Sequence, residues 1–141
     1  MTVTTALVGG CCCGGGGGGT SPCCEDSAPL PTALLVEITA SSCSGWTGAT
    51  GSLAWNADTL EWTGSVISDT ETMNVTLYCD EGTDPDEFAW EWTCNSGGSG
   101  PRPSVTINSC DPLDMTVEWE MDVAGCDGCS IGDTFTAHVY E

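Results

Sequence analysis

Met115-Thr116-Val117-Glu118-Trp119-Glu120-Met121-Asp122-Val123 alternates apolar and polar residues without a break. A period of two puts every second side chain on one face of an extended strand, whereas a helical period would scatter these apolar positions around the circumference. The stretch predicts a strand with Met115, Val117, Trp119, Met121 and Val123 turned to a core. Thr116, Glu118, Glu120 and Asp122 then face water.

The same period runs outward in both directions. Towards the C-terminus, Phe135, Ala137 and Val139 alternate with Thr136, His138 and Tyr140. Towards the N-terminus come Val105/Ile107, Phe88/Trp90/Trp92/Cys94 and Met73/Val75/Leu77/Cys79. Trp62/Gly64/Val66, Leu53/Trp55 and Leu34/Val36/Ile38 precede them, with Asn56-Ala57-Asp58-Thr59 as a hairpin turn. About eight short strands with turn signals every ~8–12 residues predict an all-β fold, an antiparallel β-sandwich of immunoglobulin-like or jelly-roll-like type. No segment of helical period competes between residues 33 and 141. One face of each strand is apolar and the other polar, so each sheet has one wet side. Residues 33–141 are read as this β-sandwich domain and residues 1–32 as an N-terminal arm.

Charge narrows the function classes. The chain of 141 residues carries 21 acids, one arginine (Arg102) and one histidine (His138), a formal net charge of −20. Nucleic acid is excluded as a partner, because phosphate neutralisation by Lys and Arg supplies most of that affinity. Anionic membrane surfaces are excluded for the same reason, and no run approaches the ~18 apolar residues of a membrane span. Charge of one sign repels itself, so saline surroundings, Ca²⁺ or a basic partner would each relieve it.

Eleven cysteines give the chain the density of a disulfide protein, which belongs to an oxidising compartment. Met1–Val8 has neither the positive start nor the apolar run of a secretory signal. A particle assembled in the cytosol and oxidised after release satisfies both observations. The arm contains Cys11, Cys12 and Cys13, the run Gly14, Gly15, Gly16, Gly17, Gly18 and Gly19, and the pair Cys23-Cys24. Glycine loses more backbone entropy on ordering than any other residue, so the run reads as a flexible linker or, if the arm is ordered, as one held by neighbouring subunits. Cys11–Cys13 are the candidates for interchain links, because an odd number of cysteines leaves at least one outside intrachain pairs.

Other candidates for chemistry are weaker. Trp55, Trp62, Trp90, Trp92 and Trp119 share faces with Leu, Val, Phe and Met and read as core. Only Trp46, in a Ser-Gly-Trp-Thr-Gly loop, is expected at the surface. Asp80, Asp84 and Asp86 crowd one loop of hard oxygen donors, a candidate Ca²⁺ site without the spacing of an EF-hand. Cys126-Asp127-Gly128-Cys129 with Cys23-Cys24 forms a candidate four-sulfur zinc set, but disulfides are the preferred reading and no cofactor is required. If strands 71–79, 87–94, 104–110 and 114–123 form a meander, Cys79 and Cys110 lie at one end of the sheet, and Cys94, Cys126 and Cys129 at the other. This predicts a Cys79–Cys110 bridge and one from Cys94 to the CxxC pair. A lone histidine beside Thr136 and Tyr140 supports no catalytic triad, and no pair of carboxylates is singled out for glycoside hydrolysis. The chain is read as non-enzymatic.

The vicinal Cys pair, the entry Pro29-Leu30-Pro31, the strand endings Leu77-Tyr78-Cys79 and Trp92-Thr93-Cys94, and Cys110-Asp111-Pro112-Leu113 before a late Cys pair occur together. In this layout, over residues 22–141, the chain resembles small Cys-rich β proteins of tailed phages and some aquatic bacteria. Its late pair is spaced CxxC where that group has a vicinal pair. The resemblance implies a virion or cell-surface setting. The expected function is a structural accessory protein of a viral particle, either a capsid decoration (cement) protein or a head or tail fibre component. Its arm attaches it, and its partners are other copies of itself and a larger protein assembly. The alternative is a secreted or surface-displayed adhesion or carbohydrate-binding module, Ca²⁺-dependent, using Trp46 and the acidic loops.

Overall fold

The computed structural model describes Cys23 and residues 31–69, 71–80, 87–110 and 112–141. Eight strands follow one another: β1 Ala33–Ser41, β2 Thr50–Asn56, β3 Glu61–Ile67, β4 Thr72–Asp80, β5 Glu87–Cys94, β6 Ser104–Cys110, β7 Leu113–Glu120 and β8 Thr134–Tyr140. No helix interrupts them among the described residues from 31 onward.

All eight strands belong to one antiparallel sheet in the order β5-β4-β3-β2-β1-β8-β7-β6. Hydrogen bonding therefore joins them in one sheet, two meanders, β1–β5 and β6–β8, linked through the β1–β8 pair. The first and last strands meet there, with Leu35 opposite Tyr140 and Ser41 opposite Phe135. The sheet curls until its two edges, β5 and β6, approach each other, giving a nearly closed, barrel-like body. Two glycines make the curl possible. A Cβ on Gly51 would run into the carbonyl of Ser65, and one on Gly64 into that of Ser52. Both sit on the core side of the β2–β3 pair, opposite Val66 and Leu53, where the coiled backbones leave room for hydrogen alone.

The alternation decides which faces meet inside. Leu34, Val36, Ile38, Leu53, Trp62, Val66, Met73, Val75, Leu77, Phe88, Trp90, Trp92, Met115, Val117, Trp119, Phe135, Ala137 and Val139 are buried together, and Trp55 packs half-buried against them. Glu91, Glu118 and Glu120 are exposed. Trp119 stacks on Phe135 with ring centroids 5.3 Å apart, and Trp90 and Trp92 lie 5.6 and 6.0 Å from Trp119 across the interior. The indole N–H groups of Trp90 and Trp119 find no acceptor there. Each such orphan donor costs ~1–3 kcal/mol, and the apolar area of the rings outweighs it.

One part of the deciding stretch departs from its expected place. Met121 is buried, but Val123 is 51% exposed instead of closing the apolar stripe. The chain leaves β7 after Glu120. Met121 donates its N–H to Asp133, and Val123 bridges Ser99, so local backbone pairing overrides the period.

Candidate functional site

The sheet sorts its connections to two ends. One end gathers the loops 42–49, 68–71, 95–103 and 121–133. The other holds the turn 57–60, the entry to β1 and the ends of β4 and β6.

At the first end, two disulfides tie loop 121–133 to loop 42–49 and to the end of β5, Cys43–Cys129 and Cys94–Cys126, with Cα–Cα separations of 5.3 and 5.1 Å. Trp46 is not at the surface. It is 1% exposed, its indole N–H donates to the carbonyl of Cys126 at 3.2 Å, and its ring meets Phe135 edge-on. Loops 42–49 and 121–133 fold over the end of the barrel and use Trp46 as the plug, so it offers no platform for a sugar. Cys126 and Asp127 both have positive φ, 54° and 58°, ahead of Gly128 at 98°. Left-handed backbone in non-glycine residues is strained. It is held here by the bonds from Cys126 N–H to Gly97 and from Asp127 N–H to the Ser96 hydroxyl, at 3.1 and 3.0 Å. Asp133 accepts the Ser130 N–H at 2.7 Å and the Ser42 hydroxyl at 2.8 Å. Those two bonds, the backbone one first, hold its carboxyl below the usual carboxylate range.

Cys43, Cys129 and Asp133 converge closely enough for a metal, but the two sulfurs are bonded to each other and the carboxylate is already engaged. The zinc set is spent in the same way, since Cys23, Cys126 and Cys129 all lie in disulfides.

At the second end, Cys110 bonds Cys23 rather than Cys79, with a Cα–Cα separation of 5.3 Å. The expected Cys79–Cys110 bridge is thus replaced by Cys23–Cys110. The sheet brings the ends of β4 and β6 to the same end, but Cys110 takes Cys23, 87 residues before it, as its partner. Cys79 is also disulfide-bonded, and none of the described cysteines is free. The chain then enters the sheet under guidance: Trp62 donates its indole N–H to the carbonyl of Pro31 at 2.9 Å, and the Trp55 N–H bonds Thr32. Cys11–Cys13 and Gly14–Gly19 lie outside the described residues.

Between the β4–β5 pair and the segment Ser99–Pro103 runs a shallow groove of about 270 Å³, lined by Tyr78, Ala89–Trp92 and Ser99–Pro103. Arg102 reaches from it to Asp80 at 2.8 Å. Tyr78 donates its hydroxyl to Glu91 at 2.9 Å, a bond that raises the phenol's pKa. Asp80 therefore pairs with a guanidinium. Its expected companions Asp84 and Asp86 lie outside the described residues.

On the wet face of β7 and β8, His138 Nε2 and an Asp114 oxygen lie 2.9 Å apart, and the imidazole stacks on Tyr140. Asn108 donates to the other Asp114 oxygen at 2.9 Å and to Thr116 at 3.1 Å. The Asn108 and His138 bonds, in that order, lower the Asp114 pKa. The group is an outer-face network that ties β6 to β8 across β7.

Sequence reasoning missed the Arg102–Asp80 clamp and the Ser42–Asp133–Ser130 lock. The first had a signal, a lone cation set between Pro101 and Pro103. The second had none, since its partners are 91 residues apart.

The fold and its bonds define an acidic, disulfide-stapled, all-β domain with a filled interior. Comparison with family models, with curated proteins and with solved structures finds no match.

Proposed function

We propose that the protein is a structural accessory component of a viral particle, a capsid decoration protein or a head or tail fibre component, attached through its N-terminal arm. The observation that carries this reading is the Cys23–Cys110 bond, which joins the root of the arm to β6 over a sequence separation of 87 residues. A pull on the arm then reaches the sheet through a covalent bond as well as through the peptide chain. The packing supports a structural role too: the interior is occupied by tryptophan and phenylalanine rings, which suits a rigid body better than a container. On this reading the domain works without catalysis, its partners are copies of itself and a larger protein assembly, and its setting is the virion. The resemblance to tailed-phage proteins supplies the virion part. The carbohydrate-binding alternative loses its tryptophan, because Trp46 is buried.

The test is to look for the protein in purified particles by mass spectrometry and by antibody labelling in electron micrographs. The full chain should be found on their surface. A chain lacking residues 1–22 should fold with its described disulfides but not bind. Absence of the full chain from particles, or equal binding by the shortened one, overturns the proposal.

A further inference from the structure

The two edges of the sheet are guarded differently. A bare edge strand offers unpaired backbone groups to any other strand, and proteins blunt it with charge, proline, bulges or cover. β5 is blunted: it carries Glu87 and Glu91, and Ser99–Pro103 lies along it with Arg102 clamped to Asp80. Ala89 is consequently only 3% exposed, although it lies on the wet face.

Among the described residues no run of chain lies along β6 as Ser99–Pro103 lies along β5, and only Cys23 is bonded to its last residue. Among them β6 pairs with β7 alone. Ser104, Thr106, Asn108 and Cys110 are exposed, while Val105 and Ile107 are only partly buried against the core. Its sequence, Ser-Val-Thr-Ile-Asn-Ser-Cys, contains no charged residue. β2 and β8 are also uncharged, but both are interior strands paired on two sides. Among the described residues, β6 is thus the strand that combines an edge position with no acid, in a chain of net charge −20.

We infer that β6 is the strand through which two copies of this chain meet, running antiparallel about a two-fold axis near Thr106. Two such copies repel wherever acids face acids. A self-complementary contact must put one strip against itself, and the uncharged edge is where backbone pairing meets no such opposition. The bulge between Ile107 and Ser109 ends the regular run, so pairing uses Ser104–Ile107 and covers the open flanks of Val105 and Ile107. A contact of this size falls well short of the ~800 Å² per partner of a stable complex. It is weak alone and strengthened by salt and by local concentration on an assembly. The inference rests on the accessory-protein reading and adds to it the contact between copies.

Sedimentation of the oxidised full chain tests it. In roughly 1 M NaCl, where screening shortens to about 3 Å, dimer should grow with concentration towards about 1 mM. Thr106→Asp should raise the concentration needed about tenfold. Thr63→Asp, which places the same charge on an exposed site of the interior strand β3, should leave it unchanged. Hydrogen exchange on the unmodified chain should show the β6 amides gaining protection as concentration rises. A monomer at the highest concentration and salt overturns the inference, as does a Thr106→Asp response equal to that of Thr63→Asp. β6 amides already fully protected in dilute monomer also overturn it, because the edge is then covered from within the chain. Binding of Thr106→Asp to particles reports separately on the attachment reading, which survives if only the dimer is lost.

Discussion

The two ends of the barrel are closed by different means. At one end, long loops with little regular pairing are held by Trp46, by two disulfides and by strained backbone at Cys126 and Asp127. At the other, a tight turn and a short entry segment close the barrel, the Cys23–Cys110 bridge sets the buried Cys23 against the core, and Cys79 lies in a further disulfide. Covalent bonds stand where the ladder runs out, because a loop without ladder bonds has little else to offset the entropy of ordering it.

The largest way to break this contrast is Trp46→Ala. It empties the plug and should cost ~3–5 kcal/mol in denaturant unfolding, whereas Trp55→Ala, half-exposed at the opposite end, should cost only about 1 kcal/mol. Equal losses would mean that the looped end is not packed as an extension of the core. Next in size are the bridges. Replacing Cys94 and Cys126 with serine, or Cys23 and Cys110, should each cost ~2–4 kcal/mol. Chain entropy alone makes the second pair dearer by at most about 1 kcal/mol, since its separation is 87 residues against 32. The reverse order would show that the loops at the first end depend on their bridge for native contacts as well.

Smaller effects sharpen the picture. Leu60 has φ 61° and is 61% exposed in the 57–60 turn. Leu60→Gly relieves a left-handed strain of ~1–2 kcal/mol and loses ~0.5–1 to chain entropy. A net gain of about 0.5 kcal/mol in thermal unfolding is expected, and a loss would show that the side chain packs in the turn. The smallest effect is at Asp133. Its pKa is lowered in the folded state, so its contribution is present above the unfolded carboxylate value and is lost as pH falls through the folded one. Asp133→Asn should therefore melt below the parent at pH ~7, with the gap closing below pH ~4. A gap independent of pH would assign the loss to the amide's fit instead.

The strands were legible because a two-residue period survives wherever one face is dry and the other wet. Trp90 and Glu91, or Trp119 and Glu118, announce their sides in any window of four residues. Trp46 was not legible for the same reason in reverse. It sits in a glycine-rich loop with no period, and its partner Cys126 lies 80 residues away, so only the folded loops reveal that it is interior. The cysteines divide along the same line. The sheet brings Cys94 to Cys126, because Cys94 ends one strand and Cys126 follows another that finishes at the same end. Cys110 escaped that reasoning, since its partner Cys23 lies before the first strand and carries no strand pattern. Val123 shows the limit of the period itself, which predicts a face but not where a strand lets go.

Arg102, the one cation among the chain's Lys and Arg positions, clamps the barrel at Asp80 and is followed directly by Pro103. Trypsin-like proteases cut after Lys or Arg, and a proline on the far side of the bond blocks them. The peptide chain thus offers such enzymes no good cleavage site even when unfolded, so survival in trypsin says nothing about whether it is folded. Proteolysis as a probe of its opening requires enzymes that cut beside acids or aromatic residues, and these would first find the acid-rich wet face.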